Sequence, residues 1–226
     1  MAIGPGAIIL AWGQLSISRS LREWMACRAG HSRKLFHLQV FLTAAFLSSQ
    51  YGLRPMCIYG VAVSFWVGVS IVDVRGLGRA LIRDEDAPRG RRYVLIPYLA
   101  TLLGGLSTQV WLTSGAATGL LIVGICDAIA EPVGLKWGRH PYGLSKIPWL
   151  KTATRTFEGS MAIALSSGVI FAMTASGVSM GDFPLALWVL GGALGVTLVE
   201  ALSPHGGDNF TLQLFGAGWV VLFLPV

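Results

Sequence analysis

Charge is scarce in this sequence. Only 12% of its residues are Asp, Glu, Lys or Arg, against roughly a quarter in an ordinary soluble domain. With 54% hydrophobic residues and a mean hydropathy of +0.64, too little polar surface remains to cover a water-soluble core. Cysteine is scarce as well. Cys27, Cys57 and Cys126 form no C-x-x-C pair and no cluster with histidine, which argues against a disulfide scaffold and a thiolate zinc site. There is no sequence repeat, no low-complexity tract and no polar stretch long enough for a separate soluble domain. The net charge is +6, yet the basic residues are not interleaved with aromatics on one polar face, so the chain does not read as a nucleic-acid binder.

What is present in quantity is apolar. Runs near the length that spans a bilayer, about 20 residues, occupy 35–53, 55–74, 93–114, 116–134, 157–178, 184–203 and 210–226. A shorter run, IGPGAIILAWGQL at 3–15, lacks the basic start and small-residue cleavage site of a secretory leader and is counted as a first span. The expectation is an all-α, polytopic integral membrane protein with about eight transmembrane helices, or seven if the first run does not span, forming one transmembrane domain over 1–226.

All but Arg54 of the 17 basic residues fall in three stretches. Arg19, Arg22, Arg28, Arg33 and Lys34 follow the first run. Arg75, Arg79, Arg83, Arg89, Arg91 and Arg92 follow the third, and Lys136, Arg139, Lys146, Lys151 and Arg155 the fifth. An even number of crossings separates these stretches, so they emerge on one face, and the positive-inside bias makes that face cytoplasmic. The expected cytoplasmic loops are 17–34, 75–92, 135–156 and 204–209, in a bacterial inner membrane or its equivalent. Anionic lipid headgroups and phosphate-bearing ligands suit such loops.

The carboxylates sit at the same depth. Asp73, Asp127, Glu131, Glu158, Glu200 and Asp208 all lie near the cytoplasmic ends of the runs. An ionised Asp at a helix centre costs about 2.5–3.5 kcal/mol on insertion scales, so these acids need a shared partner or several separate ones. Asp127 and Glu131 are four residues apart and share a helix face, where like charges repel. A cation offsets that repulsion. Magnesium suits the arrangement, because it binds oxygen ligands through one or two carboxylates plus substrate phosphates. The bland alternative is that each acid pairs with an arginine at a helix end.

The stretch that follows, GLKWGRHPYGLSKIPWLKTATRTFEGS, carries five cations, several glycines and no acid before Glu158. Glycine lets backbone N–H groups approach an oxyanion. Glu158-Gly159-Ser160 opens a helix whose N-terminal amides favour phosphate, with Thr154 or Thr156 as its cap. Acids on both sides of this stretch make a site for a magnesium–triphosphate reached from the cytoplasm. The RDEDAPRGRRY segment at 83–93 either closes over such a site or is a solvated loop with internal ion pairs.

Four blocks, in order, carry a family resemblance: RKLFH at 33–37, CDAIAEPVGLKWGRH, RTFEGS and VEALSPHGGDN. Together they span 33–209, and each alone is weak. They resemble the CTP-dependent lipid kinases of membranes (phytol and farnesol kinases, dolichol kinase, the CTP-dependent diacylglycerol kinase) and more distantly the phosphatidate cytidylyltransferases. The AEPVG form is most similar to the phytol/farnesol branch. Cys126 stands where the family usually has Gly, and Arg155 stands before Thr156 where it often has Lys; neither change removes a charge from the site.

The resemblance implies transfer of the terminal phosphate of a nucleoside triphosphate, CTP in the family, to a lipid alcohol such as phytol, farnesol or geranylgeraniol. It implies Mg2+ on Asp127 and Glu131, with Asp208 as a further ligand or as the base. Lys136, Arg139, Lys151 and Arg155 are expected on phosphate oxygens. Glu158, Gly159 and Ser160 would hold the loop or touch the nucleotide. Asn209 would bond the base or sugar, or simply cap its helix. Arg33, Lys34 and His37 would meet phosphate or the product headgroup, although an interfacial His37 bonded to a neighbouring carbonyl is the plainer reading. Two other classes stay open. A cytidylyltransferase would release pyrophosphate instead of a nucleoside diphosphate. An anion transporter would need polar residues through the full membrane depth, and here the charges stop at one face.

Overall fold

The computed structural model describes residues 3–24, 29–82, 90–143, 155–176, 184–204 and 206–224. These residues are almost entirely helical: α1 Ile3–Trp24, α2 Ala29–Tyr51, α3 Leu53–Val72, α4 Gly90–Trp111, α5 Ala116–Leu121, α6 Ala128–Trp137, α7 Phe157–Ala175, α8 Leu185–Leu202 and α9 Asp208–Phe223. A 3₁₀ turn covers Leu77–Ala80 and another Thr113–Gly115, and a π-helical turn, Ile122–Asp127, joins α5 to α6. Two short strands, β1 Pro141–Tyr142 and β2 Arg155–Thr156, pair antiparallel with Pro141 opposite Thr156.

The all-α expectation holds. Among the described residues, five helical stretches are long and apolar enough to cross a membrane: Leu53–Val72, Gly90–Trp111, Thr113–Trp137, Phe157–Ala175 and Leu185–Leu202. Large apolar side chains such as Leu165 and Met173, each 70% exposed or thereabouts, face outward along them. In water that surface would be an aggregation site; in lipid it is the expected exterior. The fifth apolar run is not one regular helix, because the π turn interrupts it. The helices also run past the apolar runs into the expected loops. α1 continues to Trp24 and α2 starts at Ala29. Arginine is a good helix former, and Arg19 pairs with Glu23 one turn on (2.9 Å), so loss of hydropathy there does not end the helix.

The chain divides into two compact units, 1–98 and 99–226, with the boundary inside α4 just after Pro97. In the first unit α1, α2 and α3 pack on one another. A polar cluster lies between them: Tyr59 Oη donates to Gln14 Oε1, Gln14 Nε2 donates to Thr43 Oγ1 (2.9 Å), and Ser18 Oγ donates to the Gln14 carbonyl (2.9 Å). All of these groups are neutral. Bonds of this kind hold helices together where lipid supplies no hydrophobic drive. At one end of this bundle Arg22 and Ser32 donate to the carbonyls of Arg79 and Ala80 in the 3₁₀ turn. The Asp73 carboxylate accepts from the Gly76 and Leu77 amides (3.0 Å each).

Small residues set the packing of the second unit. A Cβ on Gly119 would lie 2.5 Å from the Gln213 carbonyl, and one on Gly115 would lie 2.2 Å from that of Ala217. The α5 and α9 backbones therefore meet almost directly. On α8 the row Gly191, Gly192 and Gly195 leaves the space that Trp219, Phe171 and Phe215 fill. α6 packs on α7, α7 on α8, and α8 on α9, and the π turn touches both α7 and α9. The chain turns from α8 into α9 through Gly206, whose φ of 82° is one that L-residues rarely adopt.

Candidate active site

In the second unit the N-terminus of α7 touches α6 on one side and, through Arg155 just before it, the C-terminus of α8 and the start of α9 on the other. Asp127 ends the π turn and Glu131 lies in the first turn of α6. Both are half-buried, and from Asp127 onward the backbone is α-helical, so they share a face as expected. That face also carries the residues that touch α7. A Cβ on Gly134 would meet Thr156 Oγ1 at 2.9 Å, and one on Gly159 would lie 3.2 Å from the Ala130 carbonyl. Thr156 thus nests against glycines, and its Oγ1 accepts the Gly159 amide (3.1 Å), making it the N-cap of α7. Of the two threonines expected to cap, Thr156 does so, and Thr154 lies outside the described residues.

Glu158, Gly159 and Ser160 anchor the loop. Glu158 Oε1 is 2.8 Å from His140 Nδ1, the Ser160 hydroxyl bonds that of Tyr142, and the Phe157 amide donates to the His140 carbonyl (3.1 Å). The Tyr142 ring packs on Phe157 at 5.1 Å. His140 and Tyr142 are thereby fastened to the first turn of α7. Sequence reasoning missed His140 and Tyr142, because nothing in the order of residues says which part of a long loop returns to its own exit. Lys136 is exposed with Nζ 4.7 Å over the Trp137 ring. Arg139 is exposed beside β1. Lys151 lies outside the described residues, as do 83–89 of the alternating-charge segment.

Arg155, expected on phosphate oxygens, is turned toward the end of α8. Its side chain is 9% exposed. Nε forms an ion pair with Glu200 Oε1, Nη1 donates to the Ala201 carbonyl (3.4 Å) and Nη2 to that of Ser203 (3.1 Å). Nη2 also lies 3.8 Å from Asp208 Oδ2. A helix C-terminus leaves its last carbonyls without intrahelical donors and carries partial negative charge. Arg155 answers both needs for α8. Glu200, an acid noted in the apolar helix but given no role, turns out to be its main partner. Asn209 is buried, and its Nδ2 donates to Thr101 Oγ1 (2.9 Å), while Gln213 Nε2 donates to the Asn209 carbonyl (2.6 Å). A side-chain bond to α4 is thus what the structure gives Asn209.

Among the described residues no group of three or more His, Cys, Asp or Glu side chains is gathered as a metal cage. Asp127, Glu131 and Asp208 are therefore not assembled as a three-carboxylate set. Arg33, Lys34 and His37 lie on α2 in the first unit; Arg33 Nη1 donates to the Tyr93 carbonyl (3.5 Å) and the His37 ring packs on Phe41 at 4.5 Å.

Membrane-length helices, with carboxylates and cations clustered where several of them end, define an all-α membrane protein with a polar site at its helix termini. The chain is 28% identical over 211 residues to a dolichol kinase of Arabidopsis thaliana, covering 86% of this chain and 33% of that protein. It is 26% identical over 194 residues to a phytol kinase of Synechocystis sp., covering 82% of this chain and 76% of the other. The chain is thus similar over most of its length to two polyprenol-type kinases, and it spans about a third of the length of the dolichol kinase. No family model matches it, and no solved structure does.

Proposed function

We propose that the chain is a membrane kinase that transfers the terminal phosphate of a nucleoside triphosphate, CTP first among them, to an isoprenoid or related lipid alcohol. The observation that carries this reading is the similarity, over more than four-fifths of the chain, to one kinase named for dolichol and another named for phytol. The site supports it chemically. Phosphoryl transfer asks a protein for positioning and charge neutralisation more than for covalent chemistry. Asp127 and Glu131 offer half-buried hard oxygen donors on one helix face, a donor set that suits Mg2+. They would hold that ion, which when bound neutralises charge on the phosphoryl oxygens.

The chain's own groups do the rest. Lys136, Arg139 and Lys151 bind triphosphate oxygens. The N-terminus of α7, capped by Thr156, holds His140 next to Arg139 through the Glu158–His140 contact. Asp208 takes the alcohol proton on its carboxylate. Eight spans, with the site facing the cytoplasm, place the charged helix ends where a water-borne nucleotide and a hydroxyl at the lipid surface can meet. The second class, cytidylyl transfer, differs in which phosphorus is attacked.

The test is one assay on protein purified in detergent with Mg2+. CTP, UTP and ATP labelled at the γ-phosphate are each offered with phytol, farnesol, geranylgeraniol and dolichol. A labelled lipid phosphate and an unlabelled nucleoside diphosphate are expected. Labelled pyrophosphate in place of lipid phosphate would reassign the chain to cytidylyl transfer, and the absence of label transfer in every pair would overturn the kinase reading.

A further inference from the structure

We infer that Glu200 and Arg155 are a positioning pair that sets the place of Asp208. The inference rests on the kinase reading only for its catalytic consequence. Arg155 sits on β2, directly before the α7 cap. Its guanidinium reaches four acceptors: the Glu200 carboxylate, the carbonyls of Ala201 and Ser203, and the Asp208 carboxylate. Three of these belong to the end of α8 and the exit from it, and the fourth is the first residue of α9. One planar fork therefore ties the start of α7 to the α8–α9 turn. The exposures are 9%, 14% and 17% for Arg155, Glu200 and Asp208, so water screens this cluster little.

The cluster is asymmetric. Glu200 lies in direct contact with Nε, whereas Asp208 is at 3.8 Å from Nη2. Glu200 and the two carbonyls hold the fork in place, and Asp208 feels it as a nearby charge on Oδ2 while its Oδ1 accepts the Asn209 amide (3.0 Å). That is the arrangement a carboxylate needs if it is to keep a fixed position and still accept a proton. The turn between them runs through Gly206 at φ 82°, and its Gly207 amide donates to the Pro204 carbonyl (2.9 Å), so it brings α9 back within one short bend. A guanidinium suits this role and an ammonium does not, because only the planar fork presents donors toward several acceptors at once. A fork already engaged by two carbonyls and two carboxylates is also poorly placed to take up nucleotide phosphate, so Arg155 acts through Asp208.

The experiment uses the full chain in detergent, with Glu200→Gln, Arg155→Lys and Arg155→Ala. Two readouts are taken. Hydrogen–deuterium exchange of the 199–209 segment reports the turn without reference to any reaction. Steady-state kinetics, with triphosphate and alcohol varied in turn, separates kcat from each KM. In Glu200→Gln and Arg155→Ala we expect faster exchange in 199–209. In Glu200→Gln we expect kcat to fall about tenfold or more with the triphosphate KM within about twofold of the parent, and in Arg155→Lys a smaller fall in kcat. Unchanged exchange in 199–209 would overturn the pair. So would a defect dominated by triphosphate KM in Arg155→Lys, or a lowered triphosphate KM in Glu200→Gln, since either marks the guanidinium as a nucleotide ligand. If the parent protein transfers no phosphate to any alcohol, the kinase reading fails and the exchange data alone decide the pair.

Discussion

The two units solve the problem of buried polarity in opposite ways. The first buries Gln14, Tyr59, Thr43 and Ser18 as a neutral hydrogen-bonded cluster between α1, α2 and α3. The second buries Arg155, Glu200 and Asp208, three formally charged groups, where α8 ends and α9 begins. Residues 1–98 hold twelve of the 17 basic residues, yet that unit's internal cluster contains none. The contrast follows from what each network is for. Neutral side-chain bonds between membrane helices contribute modestly, about 0.6 kcal/mol on average and at most about 1.7. They hold helices together and leave no uncompensated charge when one is lost. A buried ion cluster is a weak source of net stability but costly to break, about 3–5 kcal/mol when one partner is removed. A protein keeps such a cluster where a charge itself must be held in place.

The sharpest way to test this contrast is turnover. Asp127→Asn keeps the shape of the side chain and removes its charge. We expect it to lower the rate about a thousandfold, equivalent to ~4 kcal/mol of barrier, with the melting temperature in detergent little changed; Glu131→Gln should do the same. Near-normal rates in both variants at limiting Mg2+ would remove the metal assignment. Next in size is Arg155→Ala, expected to cost about 3–5 kcal/mol in stability because two half-buried carboxylates lose their cation, as read by thermal unfolding in detergent. Gly119→Leu follows at about 1–3 kcal/mol, since the added side chain meets the α9 backbone. The smallest effect is Tyr59→Phe. It removes one neutral bond to Gln14 and should cost about 1 kcal/mol, with turnover kept. A loss in Tyr59→Phe as large as that in Arg155→Ala would erase the distinction between the two clusters.

Much of the architecture was legible from composition alone. Apolar length read out the helices, and Glu158-Gly159-Ser160 read out the start of α7, with Thr154 and Thr156 both open as its cap. What was not legible depends on partners far apart in the chain. His140 and Glu158 are brought together by a hairpin of two-residue strands, too short to leave an alternating pattern. Arg155 reads in sequence as a phosphate ligand because it belongs to a stretch of five cations and several glycines. Its partners lie 45 to 53 positions away on α8 and α9. The excess length of α1 and α2 was hidden for a different reason: hydropathy marks where lipid ends, and backbone hydrogen bonding continues past that point.

The π turn at Ile122–Asp127 left no trace in the residues either, since i→i+5 bonding asks for no special side chain. Its consequence is angular. A π turn stores about one residue more than an α turn, and each helical residue corresponds to a rotation of about 100°. The direction in which Asp127 and Glu131 point is thus set upstream, by winding and not by their own neighbours. Removing one residue, at Gly124 for instance, would let the segment rewind as α-helix with that direction nearly kept; removing two exhausts the stored residue and turns everything beyond by about 100°. Both carboxylates would then swing off the face that meets α7, with every charge still present and no side chain in the polar site altered. For this protein a two-residue deletion in the apolar interior is a steering error, and it would silence the site from a distance.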